Sequence, residues 1–166
     1  MKKLLFLALL FTLIASCKKD LTIEDSFNTR VQDVLTNQKT QLATDDALIK
    51  KYITEKNLTA QSTPEGIYFV IEEAGLGTDL PNLRSTVLTK YKGYLLNGTV
   101  FDQSATGISF GLTQVILGWG IGMQKFKRRS KGKLLIPSSF AYGASATGGI
   151  PANSVLVFDI ELVDFN

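Results

Sequence analysis

The order of apolar and polar positions changes rhythm along the chain, and each change marks a part. Residues 4–15 are an apolar run, interrupted only by Thr12, behind Lys2 and Lys3. Residues 18–25 are polar. From 26 to about 59 the spacing is helical: Phe27, Val31, Val34 and Leu35 recur on one face. Asn37 to Gln41 is polar and predicts a break. Thr44 with Asp45 and Asp46 predicts an N-cap with an acidic first turn. Leu48, Ile49, Tyr52 and Ile53 then form a second stripe, with Asn57 as terminator. Two short amphipathic helices are expected.

At Ser62-Thr63-Pro64-Glu65-Gly66 the rhythm shifts from helix to strand. Ile67 to Glu72 is rich in β-branched and aromatic residues, and Gly75-Leu76-Gly77-Thr78 reads as a turn. Thr86 to Leu96 predicts a long strand, and Asn97-Gly98 a hairpin leading into Thr99 to Asp102. Val115 to Met123 carries three glycines and predicts a brief helix. Lys131 to Pro137 predicts a strand, Ser138 to Asn153 a small-residue loop, and Ser154 to Phe165 a final strand. In that strand Leu156, Phe158, Ile160 and Leu162 share one face, which should line a core, and Val155, Val157, Asp159, Glu161 and Val163 share the other. The sum is an α+β fold, an antiparallel sheet with one short internal helix.

Composition narrows the chemistry. The 166 residues are one domain's worth, 45% hydrophobic and 20% charged, so the chain is globular. It has no histidine and one cysteine, Cys17. A Ser/His/Asp triad, a Cys/His pair and a His-ligated metal site are therefore excluded, and no cofactor is implied. A net charge of +3 gives no reason to expect nucleic acid as a partner. Six cations fall in the nine residues from Lys125 to Lys133. They suit either an anionic partner or a solvated turn beside a strand, and the second reading is the simpler one.

The apolar run is too short to span a bilayer, which takes about 18 or more residues. Behind two lysines it has the layout of a signal peptide, residues 1–16. Leu13-Ile14-Ala15-Ser16-Cys17 resembles the bacterial lipobox, where cleavage leaves the cysteine lipidated at the new N-terminus. The resemblance implies a lipid anchor on Cys17, a tether over 17–25, and a place in the cell envelope, at the outer membrane, facing the periplasm or the surface.

Five further pieces stand in a telling order: Tyr91-Lys92-Gly93; Gly98 to Asp102; Gln114 to Trp119; Pro137 to Gly143; and Ile150-Pro151 followed by Leu156 to Leu162. Together, residues 62–166 resemble the FKBP-type peptidyl-prolyl cis-trans isomerases, the immunophilins that bind tacrolimus and rapamycin. The resemblance implies a twisted antiparallel sheet wrapped around a short α-helix; the helical N-terminal extension over 26–61 lies outside it, and two amphipathic helices there suit a spacer, a cap or a dimerisation surface. The resemblance also implies a pocket between sheet and helix. Trp119 would be its floor, and Tyr91, Phe101, Val115, Ile116 and Phe158 its apolar walls. Asp102, Tyr142 and the backbone N–H of Ile150 would be its polar contacts. Taken alone, Trp119 fits a core as well as a platform, and Asp102 fits a turn as well as a contact. Gly93 and Gly98 read as backbone devices. Three features depart from the family pattern. Residues 103–108 offer no arginine to Asp102, Ile108 stands where an aromatic often occurs, and Ala144 to Gly149 holds no aromatic. The rim of the pocket is thereby reduced. The implied activity is isomerisation of X-Pro bonds in exported, proline-containing polypeptides, with macrolides as inhibitors. The rival class is a non-catalytic FKBP-like binding or chaperone module.

Overall fold

The computed structural model describes residues 22–166, so the signal segment, Cys17 and most of the tether lie outside the described residues. Two helices open it, α1 (Ile23–Asn37) and α2 (Lys39–Glu55). α1 starts three residues before the expected position because Thr22 closes a capping box. Its Oγ1 accepts from the Asp25 N–H at 3.1 Å, and Asp25 Oδ2 accepts from the Thr22 N–H at 3.1 Å. The expected break over 37–41 shrinks to Gln38 alone. That stretch has no Gly or Pro, and helical bonding resumes at once, Leu42 N–H donating to Gln38 O at 2.9 Å. Thr44 is consequently an interior residue of α2 and not its cap; its hydroxyl donates to Thr40 O. The stripe of α2 also differs from expectation. Asp45, Ile49 and Tyr52 are buried, while Leu48 is exposed. Asn57 ends the helical region in the left-handed conformation, φ 51°.

Six antiparallel strands follow: β1 (Gln61–Ser62), β2 (Tyr68–Glu73), β3 (Thr86–Leu95), β4 (Val100–Gly111), β5 (Ser130–Ile136) and β6 (Leu156–Phe165). Their order in the sheet is β1-β2-β5-β6-β3-β4. The β3–β4 hairpin turns through Leu96-Asn97-Gly98, with Gly98 N–H donating to Leu95 O and Leu95 N–H to Thr99 O. Only Gly98 takes a positive φ, 89°. This is the three-residue turn with a left-handed glycine, not the two-residue form that Asn-Gly most often makes. β4 runs on through residues 103–108, past the Thr99 to Asp102 stretch expected from the sequence. Thr89 pairs with Ile108 and Tyr91 with Ser104, so β4 carries extra residues around Gly107 in a bulge. The insertion is of two residues, so Ile108 and Phe110 stay on the face of Asp102 and Ser104; the small and polar residues Gln103 to Gly107 are what hide the strand in the sequence.

The short helix α3 (Leu117–Gly122) lies on the inner face of the sheet. Its glycines are there for space. A Cβ at Gly118 would sit 2.3 Å from the Ile136 side chain, one at Gly122 2.5 Å from Leu134, and one at Gly120 2.6 Å from the Phe27 ring. The first two let α3 settle on β5, and the third lets α1 settle on α3. The main core combines Leu156, Phe158, Ile160 and Leu162 of β6 with Trp119, Met123, Phe126, Phe140 and, from α1, Phe27 and Val31. The other face of β6 is buried too at its start. Val155 and Val157 join Val70 and Leu135 beneath Ile49 and Tyr52 of α2. Both cores therefore take side chains from either side of position 62.

Further along that outer face the side chains are charged, and part of the basic run is matched there. Lys131 pairs with Glu73, Lys133 with Glu72 and Asp159, and Arg128 with Asp164 while stacking over Phe165. Half of the six cations have acidic partners, as befits a solvated face.

Candidate active site

Between the inner face of the sheet, α3 and the 141–150 loop lies a cavity of about 750 Å3. Neighbouring elements bring its walls together. β3 supplies Tyr91, β4 supplies Phe101 and Asp102, the segment entering α3 supplies Val115 and Ile116, and α3 supplies Trp119. The loop after β5 adds Tyr142 and Ile150, and β6 adds Phe158. All nine residues singled out in the sequence thus line one cavity.

Trp119 is buried, and three rings meet it edge-on. Tyr91 lies at 5.4 Å and 84°, Phe158 at 5.2 Å and 90°, and Phe110 at 4.9 Å and 68°. Phe101 meets Phe158 edge-on at 5.6 Å. Edge-to-face pairs each add roughly 0.5–1.5 kcal/mol beyond burial, so this cluster holds the floor rigid. Gly93 makes room for it. A Cβ there would come within 2.7 Å of the Phe101 ring and 2.8 Å of Phe158. Its role is space rather than an unusual φ.

Polar groups are few. The Tyr91 hydroxyl donates to Asp102 Oδ2 at 2.6 Å. Burial, and then the bond to Asp102 and its charge, push the Tyr91 hydroxyl up to about 12, so it stays protonated at neutral pH. Asp102 lies within β4 and not in the turn, and Tyr91 takes the place of the absent arginine as its partner. Tyr142 is exposed at the mouth. The Ile150 N–H faces back into its own loop, donating to Thr147 O at 2.7 Å, while Thr147 N–H donates to Ile150 O. A substrate carbonyl would have to share or displace that bond.

The cavity also has walls beyond the nine residues singled out in the sequence. Phe110 completes the ring cluster, and Ile108, Gln114 and Leu117 line the cavity beside it. Phe110 follows the β4 bulge, which inserts two residues and so keeps it on the face of Asp102 and Ser104, but no motif piece extends to it. Arg30 comes from α1, far from the motifs in sequence, and brings a cation to the mouth that residues 103–108 lack.

Residues 77–163 match the family described as FKBP-type peptidyl-prolyl cis-trans isomerase. The chain belongs to that family. Among curated relatives, the FKBP-type isomerase FkpA of Escherichia coli K12 is 43% identical over 118 residues, covering 69% of this chain and 43% of its own. FkpA of Buchnera aphidicola from Schizaphis graminum is 37% identical over 131 residues, covering 77% and 51%. The chain thus spans about half the length, or less, of these relatives. Among solved structures, Escherichia coli FkpA superposes with a TM-score of 0.64 at 35% identity, over 89% of this chain and 73% of that one. A Pseudomonas syringae peptidyl-prolyl isomerase does so with 0.65 at 30% identity, over 77% and 95%. The FKBP fold, with its sheet and enclosed short helix, accounts for the cavity; the helix pair lies outside the span of the family match.

Proposed function

We propose that this chain is a peptidyl-prolyl cis-trans isomerase acting on exported, proline-containing polypeptides in the cell envelope. The observation that carries the reading is the ring-floored cavity: Trp119 beneath Tyr91, Phe101 and Phe158, with Asp102 and Tyr142 at its edge. Family membership supports it, and tacrolimus- or rapamycin-type macrolides are the expected competitors.

The chemistry fits such a site. Rotation about the peptide C–N bond costs roughly 18–20 kcal/mol because that bond is partly double. X-Pro bonds populate both isomers but exchange in tens to hundreds of seconds. Rotation breaks no covalent bond, so neither a nucleophile nor a proton relay is required. The proline ring seats on the Trp119 indole between Phe101, Phe158, Val115 and Ile116. A planar amide is more dipolar than a twisted one, so an apolar enclosure disfavours the ground state more than the transition state. Asp102 and Tyr142 hold the chain around the rotating bond. The Tyr91 hydroxyl, kept protonated, orients Asp102.

Asp102→Leu tests the polar part. Asp102 is exposed and the Tyr91 hydroxyl can turn to water, so the fold should persist. Loss of one charge-assisted hydrogen bond is worth roughly 1.5–3 kcal/mol, less where water competes. A drop in kcat/KM of about tenfold with an unchanged melting temperature is expected. Complete loss in a folded protein would contradict a mechanism built on shape and desolvation.

The anchor is a separate claim and rests on the run ending at Cys17. Cys17→Ala should leave the protein unprocessed or release it from membranes. Membrane fractionation showing the variant processed and retained as wild type would remove the lipoprotein reading and leave the isomerase reading untouched.

A further inference from the structure

α2 buries a carboxylate completely, that of Asp45, and no lysine or arginine pairs with it among the described residues. Burying a charge without a counter-ion is costly unless hydrogen bonds replace the lost water. Three do so. Asp45 Oδ2 accepts from the Ser138 N–H at 2.7 Å and from the Ser138 hydroxyl at 2.7 Å, and Oδ1 accepts from Gln41 Nε2 at 2.8 Å. Ser138 lies 93 residues away from Asp45 in sequence, at the head of the loop that closes the cavity. Its carbonyl oxygen in turn accepts from the Ala141 N–H and from the Gly143 N–H, both at 2.9 Å. Those two amides flank Tyr142. Gly143 O then accepts from the Asn153 N–H at 2.7 Å, tying the far end of the loop to the same point. The relay runs without a gap from α2, through Ser138, to both sides of a residue at the cavity mouth.

We propose that Asp45 is a positioning residue for the isomerase site. It fixes Ser138, and through Ser138 it fixes Tyr142. This rests on the isomerase reading for its effect on turnover, but not for its effect on the loop. A carboxylate suits the task because it has enough lone pairs to accept from the Ser138 N–H, the Ser138 hydroxyl and Gln41 together. An apolar residue of similar size would fill the space and leave both Ser138 donors unmet. The helix pair is then part of what sets the active-site geometry.

The test uses the full chain and two readouts. In Asp45→Leu, hydrogen exchange at the Ala141 and Gly143 amides should quicken at least tenfold relative to amides of β6, and kcat/KM should fall five- to tenfold. Asp45→Asn should restore most of both, since its oxygen can still accept from Ser138 while the Gln41 amide turns to present its own. The fall in turnover should also be absent when Tyr142 is already alanine, because the effect passes through that side chain. If Asp45→Leu fails to fold, Ser138→Ala, which removes only the hydroxyl bond, should move both readouts two- to threefold in the same direction. Unchanged exchange at Ala141 and Gly143, or an equal loss of turnover in the Tyr142→Ala background, would overturn the proposal. An inactive wild type would instead sink the isomerase reading, with the exchange result still deciding whether Asp45 orders the loop.

Discussion

A fragment starting at residue 62 should lose most of the stability of the chain from residue 22. The reason is where the two cores draw their side chains. Phe27 and Val31 of α1 are buried against α3 and the main core, and Ile49 and Tyr52 of α2 are buried on the outer face of β5 and β6. Burying a large apolar side chain is worth about 1.5–3 kcal/mol, and a whole domain is stable by only about 5–15 kcal/mol. Ordering two helices costs conformational entropy, which offsets part of that gain. The fragment would also expose Gly120, Val157 and Leu135 and strip Asp45 from Ser138. A net loss of several kcal/mol remains. At roughly 2–4 °C per kcal/mol for a chain of about 150 residues, the melting temperature should fall by about 10 °C, or the cooperative transition should vanish. Calorimetry on the two proteins checks this. Equal melting temperatures would mean that the helices pack on a domain complete without them.

Phe101→Ala should remove more activity than any single change at the polar rim. The ring is half-buried, meets Phe158 edge-on and closes one side of the cavity above Trp119. Its truncation opens that wall to water and removes contacts the proline ring would make. Loss of some 60–80 Å2 of apolar contact is worth about 1.5–2 kcal/mol, a tenfold to thirtyfold change. Enclosure is what the mechanism uses, so kcat/KM and macrolide binding should fall together. Stability should fall by about 2 kcal/mol, below the 3–5 kcal/mol of a fully buried phenylalanine. Titration calorimetry and the isomerase assay separate the effects. Wild-type turnover in a variant with weakened macrolide binding would show that the apolar wall serves the ligand only.

Much of this was legible before the structure, and the parts that were not share a cause. β6 was readable because its inner residues alternate strictly, and Leu156, Phe158, Ile160 and Leu162 all reach the core. The nine motif residues were readable because short local patterns carry them. Phe110 was hidden because no motif piece reaches it and because the small and polar residues Gln103 to Gly107 mask the strand that carries it. Arg30 and Asp45 were hidden more deeply. Each sits on a helix surface with no local mark, and each gains its role from a partner that only the tertiary fold brings near. Asp45 reads in sequence as a first-turn acid; in the structure α2 begins six residues earlier, and Asp45 is an interior residue of it, buried on Ser138.

The measurement that bears most directly on the account is a protease-coupled isomerase assay on the chain from residue 22, using a proline-containing peptide, with and without tacrolimus. A catalysed rate that rises in proportion to protein concentration and is abolished by the macrolide is the expected result. Tight macrolide binding with no rate above the uncatalysed reaction would contradict the account and leave a binding module in an isomerase fold.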